Sequence, residues 1–160
     1  MLLACVRVLT IASVALYLVP TGAHLFELTG KMAMSPANYT AVQTIYTGWA
    51  LFGIVIFAAV LLTLLHAVLR RRERVVLLLS VAAFLCLVAT QVVFWMFTFP
   101  MNVASSNWTV TPDHFETARR QWEYSHAASA VLTFLALIAI TSAVAIDAGP
   151  PQLRSSAPPR

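Results

Sequence analysis

The sequence predicts an all-α membrane protein, an up-down-up-down bundle of four transmembrane helices with a short amphipathic helix in the outer loop between spans three and four. Three observations predict it. Of the 160 residues, 60% are hydrophobic and only 10% are charged, against roughly 45–50% and about 25% in a soluble domain. Mean hydropathy is +0.82. The apolar residues fall into four runs, each reaching the roughly 20 residues that a spanning helix needs. A water-soluble enzyme with one large core, a disordered chain and a disulfide scaffold are thereby excluded.

The first run covers about residues 2–28 and the second about 45–69. The third covers about 75–99 and the fourth about 124–146. Together they make a membrane domain over residues 1–148, followed by a Pro-rich tail, 149–160, whose composition predicts disorder. In lipid, runs of this length satisfy their backbone groups only as helices. The first run also fits a signal peptide with a weak cleavage site at Thr21-Gly22-Ala23, but its only positive residue is Arg7, which favours a span. Small residues mark candidate helix contacts: Gly48, Gly53, Ala58 and Ala59 in span two, Ser129, Ala130 and Thr133 in span four.

The connections set the orientation. Gly30 to Asn38 reads as a short loop carrying Lys31 and Pro36, and Arg70-Arg71-Arg72-Glu73-Arg74 as a tight charged turn. Basic residues collect on the cytoplasmic side of membrane proteins. The arginine turn therefore belongs inside, with both termini, in a multi-pass plasma-membrane protein. The net charge of +4 thus reflects membrane topology and gives no reason to expect nucleic-acid binding. Cys5 and Cys86 sit at different depths, which argues against a disulfide.

The loop after span three starts at Pro100, which is expected to end the helix. Thr111-Pro112-Asp113 reads as a helix start, and Phe115, Ala118 and Trp122 recur at helical spacing. The expectation is an interfacial helix lying as a lid over the bundle, with Arg119 and Arg120 as a positive rim.

Ionisable residues within spans are functional-site candidates by default. His24 and Glu27 lie three apart on span one, and Glu123 and His126 three apart at the start of span four. In antiparallel helices the two glutamates share a level and the two histidines sit about one turn deeper. Three readings remain open: interhelical hydrogen bonding alone, a proton-transfer or substrate site, and ligation of a single divalent metal by His24, Glu27, Glu123 and His126. Spans two and three supply no further carboxylates, so a di-iron set is disfavoured. Arg119 is placed to pair with Glu123 at i,i+4. Tyr17 and Ser13 continue the polar face of span one. Gln91, Trp95 and Thr98 share a face of span three, and Gln91 needs a buried partner. His66, beside the arginines, is expected to snorkel. The sequence carries no nucleotide-, dinucleotide- or flavin-type motif and no Cys-x-x-Cys.

Pro100-Met101-Asn102, Trp108 and the Arg119-Arg120-Gln121-Trp122 approach to span four, on a four-span chain of this size, resemble the anthrone oxygenase-like family of small integral membrane proteins. Much of that family is known only as a domain of unknown function. The resemblance covers roughly residues 5–146. It implies the activity of the fungal members, oxidation of an anthrone to an anthraquinone by molecular oxygen without an obvious organic cofactor; most bacterial members have no assigned reaction. It also implies that Pro100, Asn102, Trp108 and Trp122 form an outer-loop signature. Family members often carry Asn and Arg after the tryptophan, where this chain has Glu123, Tyr124 and His126. The combined expectation is an oxygenase- or oxidoreductase-like protein taking an apolar aromatic substrate from the outer leaflet. His24 or His126 would act as base, with Tyr17, Gln91, Trp95, Asn102, Trp108, Arg119, Arg120 and Trp122 around the substrate. A non-catalytic membrane subunit and a small metal-handling carrier are the alternatives.

Overall fold

The computed structural model describes residues 1–149. Six α-helices are joined by short 3-10 and π turns: α1 Leu2–Met32, α2 Pro36–Val42, α3 Phe52–Leu69, α4 Arg74–Val93, α5 Phe99–Ala104 and α6 Phe115–Ala148. Four stretches are long and apolar enough to cross a membrane: Leu2–Met32, Trp49–Leu69, Arg74–Ala104 and Phe115–Ala148. Around the bundle the neighbours run α1–α3–α4–α6 and back to α1. The first and last helices are therefore adjacent and antiparallel. The 70–73 turn and both described ends of the chain lie at one end of the bundle, called here the terminal end. The remaining connections lie at the other, the loop end.

Small residues at the centre let the helices approach, with Ala59, Ala83, Ala136 and Ala143 packed around Val14, Leu87 and Ile140. Buried hydroxyls are satisfied within their own helices. Thr10 donates to Val6 O, Thr63 to Ala59 O, Ser80 to Val76 O and Thr133 to Ser129 O. Leu9, Leu16, Ile54, Phe57, Leu78, Leu85 and Phe134 point outward. In water that surface would be untenable; against lipid tails it is matched.

Four expectations are corrected. First, α1 does not end near Leu28 but continues to Met32, so Lys31 belongs to a helix and is buried. Second, Pro100 does not stop span three. Phe94–Thr98 forms a π turn, and Pro100 then sits in the first turn of α5, where its missing N–H is not needed. Third, there is no separate interfacial helix before span four. Thr111 to His114 is irregular, and α6 runs unbroken from Phe115 through the membrane. Fourth, span two is shorter at its start, because Gln43–Tyr46 and Trp49–Leu51 form 3-10 turns instead. The predicted tail lies outside the described residues beyond Gly149.

Between α5 and α6, Ser106, Asn107 and Trp108 take φ of 48°, 55° and 61°. Left-handed backbone costs about 1–2 kcal/mol per non-glycine residue. Trp108 is buried against Tyr39, Phe115 and Trp122. Ser105 Oγ accepts from Trp108 N at 3.0 Å. These contacts hold the turn in place.

Candidate functional site

Two polar clusters occupy the two ends of the bundle. At the loop end, His24, Glu27 and Lys31 line one face of α1, spaced by three and four residues. Trp122, Glu123 and His126 face them from α6. The chain between α1 and α3 folds over both and adds Tyr39 and Tyr46.

Lys31 sits at the centre. Its ammonium lies 3.2 Å from Glu27 Oε2, 3.5 Å from Glu123 Oε1 and 3.5 Å from His24 Nδ1. It also stands over the Tyr46 ring at 4.3 Å and the Trp122 ring at 5.1 Å. An ammonium only donates, so His24 Nδ1 accepts and that ring carries its proton on Nε2. The His24 and His126 rings stack with centroids 4.0 Å apart. Trp122 meets both edge-on, at 5.0 Å and 4.3 Å.

Each carboxylate has its own phenol. Tyr39 OH donates to Glu123 Oε1 at 2.8 Å, and Tyr46 OH donates to Glu27 Oε2. Burial first, then the adjacent Glu123 carboxylate, pushes the Tyr39 phenol well above its ordinary range; the Gln43 amide, close to the hydroxyl but outside hydrogen-bonding geometry, and Arg119 oppose this. Burial, the hydrogen bond to Glu27 and the charges of both glutamates do the same at Tyr46. Both phenols therefore stay protonated and act as fixed donors. Glu123 is fully buried, yet its Oε2 has no hydrogen-bond partner among the described residues, and neither do the Gln43 amide or Trp108 Nε1. Each such group costs about 1–3 kcal/mol.

Of the residues singled out from sequence, His24, Glu27, Glu123, His126 and Trp122 come together here. Trp122 Nε1 donates to Asn102 Oδ1 at 2.7 Å, and its ring lies 5.7 Å from that of Trp108, so Asn102 and Trp108 join the edge of the cluster. Arg119 does not pair with Glu123. It is buried, donating to Lys31 O at 3.3 Å, Met34 O at 2.8 Å and Glu116 at 2.6 Å. Because α1 ends beside it, its guanidinium caps two carbonyls at that helix end, Lys31 O and Met34 O. The predicted positive rim thus reduces to Arg120, which is exposed. Tyr17 and Gln91 form a separate group deeper in the bundle: both bond Thr90 Oγ1, at 2.9 Å and 3.2 Å. Trp95 is 58% exposed on the outer face, against Phe94 and Phe99.

The set does not fit a metal ion. Among the described residues no three His, Cys, Asp or Glu side chains gather closely enough to hold one, and the Lys31 ammonium already occupies the position between the carboxylates. Sequence reasoning missed Lys31, Tyr39, Gln43 and Tyr46. The signal for Lys31 was present, four residues after Glu27 and seven after His24; the other three depend on how the loop folds back.

At the terminal end a single carboxylate is central. The Asp147 side chain is fully buried, accepts from Arg7 Nε at 2.9 Å and pairs with Arg70. His66 Nε2 lies 4.0 Å from Asp147 Oδ2, while Nδ1 bonds Ser80 Oγ at 2.9 Å. His66 is therefore a buried link between helices and does not snorkel. This cluster joins all four spans.

Comparison with protein-family models, with curated proteins and with solved structures returns no match.

Proposed function

We propose that this integral multi-pass membrane protein is an acid–base enzyme of the oxygenase or oxidoreductase class, acting on an apolar aromatic substrate at the loop end. One observation carries the reading. Two stacked imidazoles lie in aromatic surroundings beside two carboxylates, one of them fully buried, that share one buried ammonium. His126, held by ring contacts to His24 and Trp122, is the base. His24, fixed by Lys31, is its partner.

The resemblance to the anthrone oxygenase-like family supports the same chemistry. An anthrone has an acidic methylene. Loss of one proton to an imidazole leaves a carbanion, delocalised as an enolate, that molecular oxygen oxidises. The methylene carbon becomes the second carbonyl of the anthraquinone, and the other oxygen atom leaves as water. The chain's residues need only bind the ring system, accept the proton and exclude solvent. The excess of arginine at the terminal end supports a cytoplasmic position for both termini and an outward-facing loop end in the plasma membrane.

The test is oxygen uptake by membranes carrying the protein, with an anthrone as probe. Wild type should consume oxygen in step with anthraquinone formed. The His24→Ala/His126→Ala variant should lose at least about 100-fold, the usual share of a general base. Unchanged turnover in that variant would end the proposal.

A second reading, a non-catalytic subunit whose cluster locks the helices, is favoured by the way Lys31 and the two phenols fill the centre. Under it His24→Ala lowers thermal stability and no substrate-dependent signal exists to lose. A metal-handling carrier is not proposed, because the donor set does not fit an ion.

A further inference from the structure

Three buried polar groups from three separate segments surround Tyr39. Gln43, on the 3-10 turn, is 5% exposed, and both its amide nitrogen and oxygen lack partners among the described residues. Trp108, on the left-handed turn, is 4% exposed with Nε1 unpartnered. Glu123, on α6, is fully buried with Oε2 unpartnered. Gln43 lies one turn beyond Tyr39 and its backbone N–H bonds Tyr39 O. The Tyr39 hydroxyl bonds Glu123 Oε1 at 2.8 Å, and the Tyr39 ring meets Trp108 at 5.0 Å.

The chemistry of this set selects its ligand. A carboxylate oxygen accepts, an indole N–H donates and a primary amide does both. A cation would face the two N–H donors, and an anion would face Glu123. A neutral group that donates and accepts at one oxygen complements all three.

We propose that Gln43, Glu123 and Trp108 form a hydroxyl-binding subsite around Tyr39. It takes an internal water at rest and the hydroxyl of a phenolic ligand when one is present. The subsite stands on these groups alone; its phenolic occupant rests on the reading of the loop end as a substrate site. In that role Gln43 is a specificity-determining residue, choosing hydroxylated over plain aromatic rings.

The test uses full-length protein in detergent micelles at matched micelle concentration, with 4-fluorophenol and 4-fluoroanisole as probes. Fluorine NMR line broadening reports binding, and thermal melts and the water contacts of the Gln43 side-chain amide are measured in parallel. Wild type should prefer the phenol over the anisole by about tenfold or more, since a site built for a hydroxyl rejects the analogue that lacks the donor. Gln43→Met should abolish that preference and melt lower than wild type. If no preference is found, yet the variant melts lower and the wild-type amide contacts water, the hydroxyl subsite stands and its phenolic occupant is withdrawn. If Gln43→Met melts higher, with no phenol preference and no water contact in wild type, the subsite is overturned. The two wild-type measurements decide the matter even if the variant does not fold.

Discussion

The two ends of the bundle solve the same electrostatic problem with opposite stoichiometry. At the terminal end one buried carboxylate, Asp147, is held by two guanidiniums with a histidine nearby. At the loop end one buried ammonium, Lys31, is shared by two carboxylates. The cations of the first cluster reach the surface, with Arg7 21% and Arg70 28% exposed. The centre of the second does not: Lys31 is 2% exposed and Glu123 is fully buried. Surplus charge at the terminal end is solvated, and that cluster reads as a clasp joining the four helices. At the loop end the ammonium and one of its two carboxylates stay inside, next to two stacked imidazoles.

The contrast can be broken at its strongest point by Lys31→Met. That change leaves two carboxylates close together without their counter-ion, and its expected cost is about 3–5 kcal/mol in detergent unfolding. Asp147→Asn is expected to cost less, about 1–2 kcal/mol, because the two arginines freed by it can turn to water. Equal losses for the two variants would show that the ends are alike. The same logic sharpens within the loop end. Tyr39→Phe removes a donor from a fully buried carboxylate and should cost about 1.5–3 kcal/mol, the range for bonds to charged groups. Tyr46→Phe acts on Glu27, which is 38% exposed, and should cost well under that in the same measurement, because water replaces the phenol. The smallest effect is expected at Ser106, an exposed residue at φ 48°. Ser106→Gly should raise stability by about 0.5–1 kcal/mol, because glycine enters that region freely.

Hydropathy made the four spans legible, because lipid leaves the backbone no other way to satisfy itself over such lengths. The pairing of His24 and Glu27 with Glu123 and His126 was legible from spacing and antiparallel direction. What stayed hidden has physical causes. A lysine after Gly30 looks like loop, yet α1 runs past Gly30, because Lys31 finds two carboxylates and two aromatic faces. Pro100 looks like a stop, but a π turn resets the helix before it. Asp147 looks like the solvated end of span four; only packing brings Arg7 to it across 140 residues. Tyr39, Gln43 and Tyr46 lie in a segment with no strong period, so nothing local aims them at the site.

A double-mutant cycle between Lys31→Met and Glu123→Gln, read by unfolding in mixed detergent, tests the central claim most directly. A buried ion pair joining the first helix to the last requires the double variant to be more stable than the two single losses add up to, by at least about 1 kcal/mol. Strict additivity would mean that these two groups do not meet, and the loop-end site would have no centre.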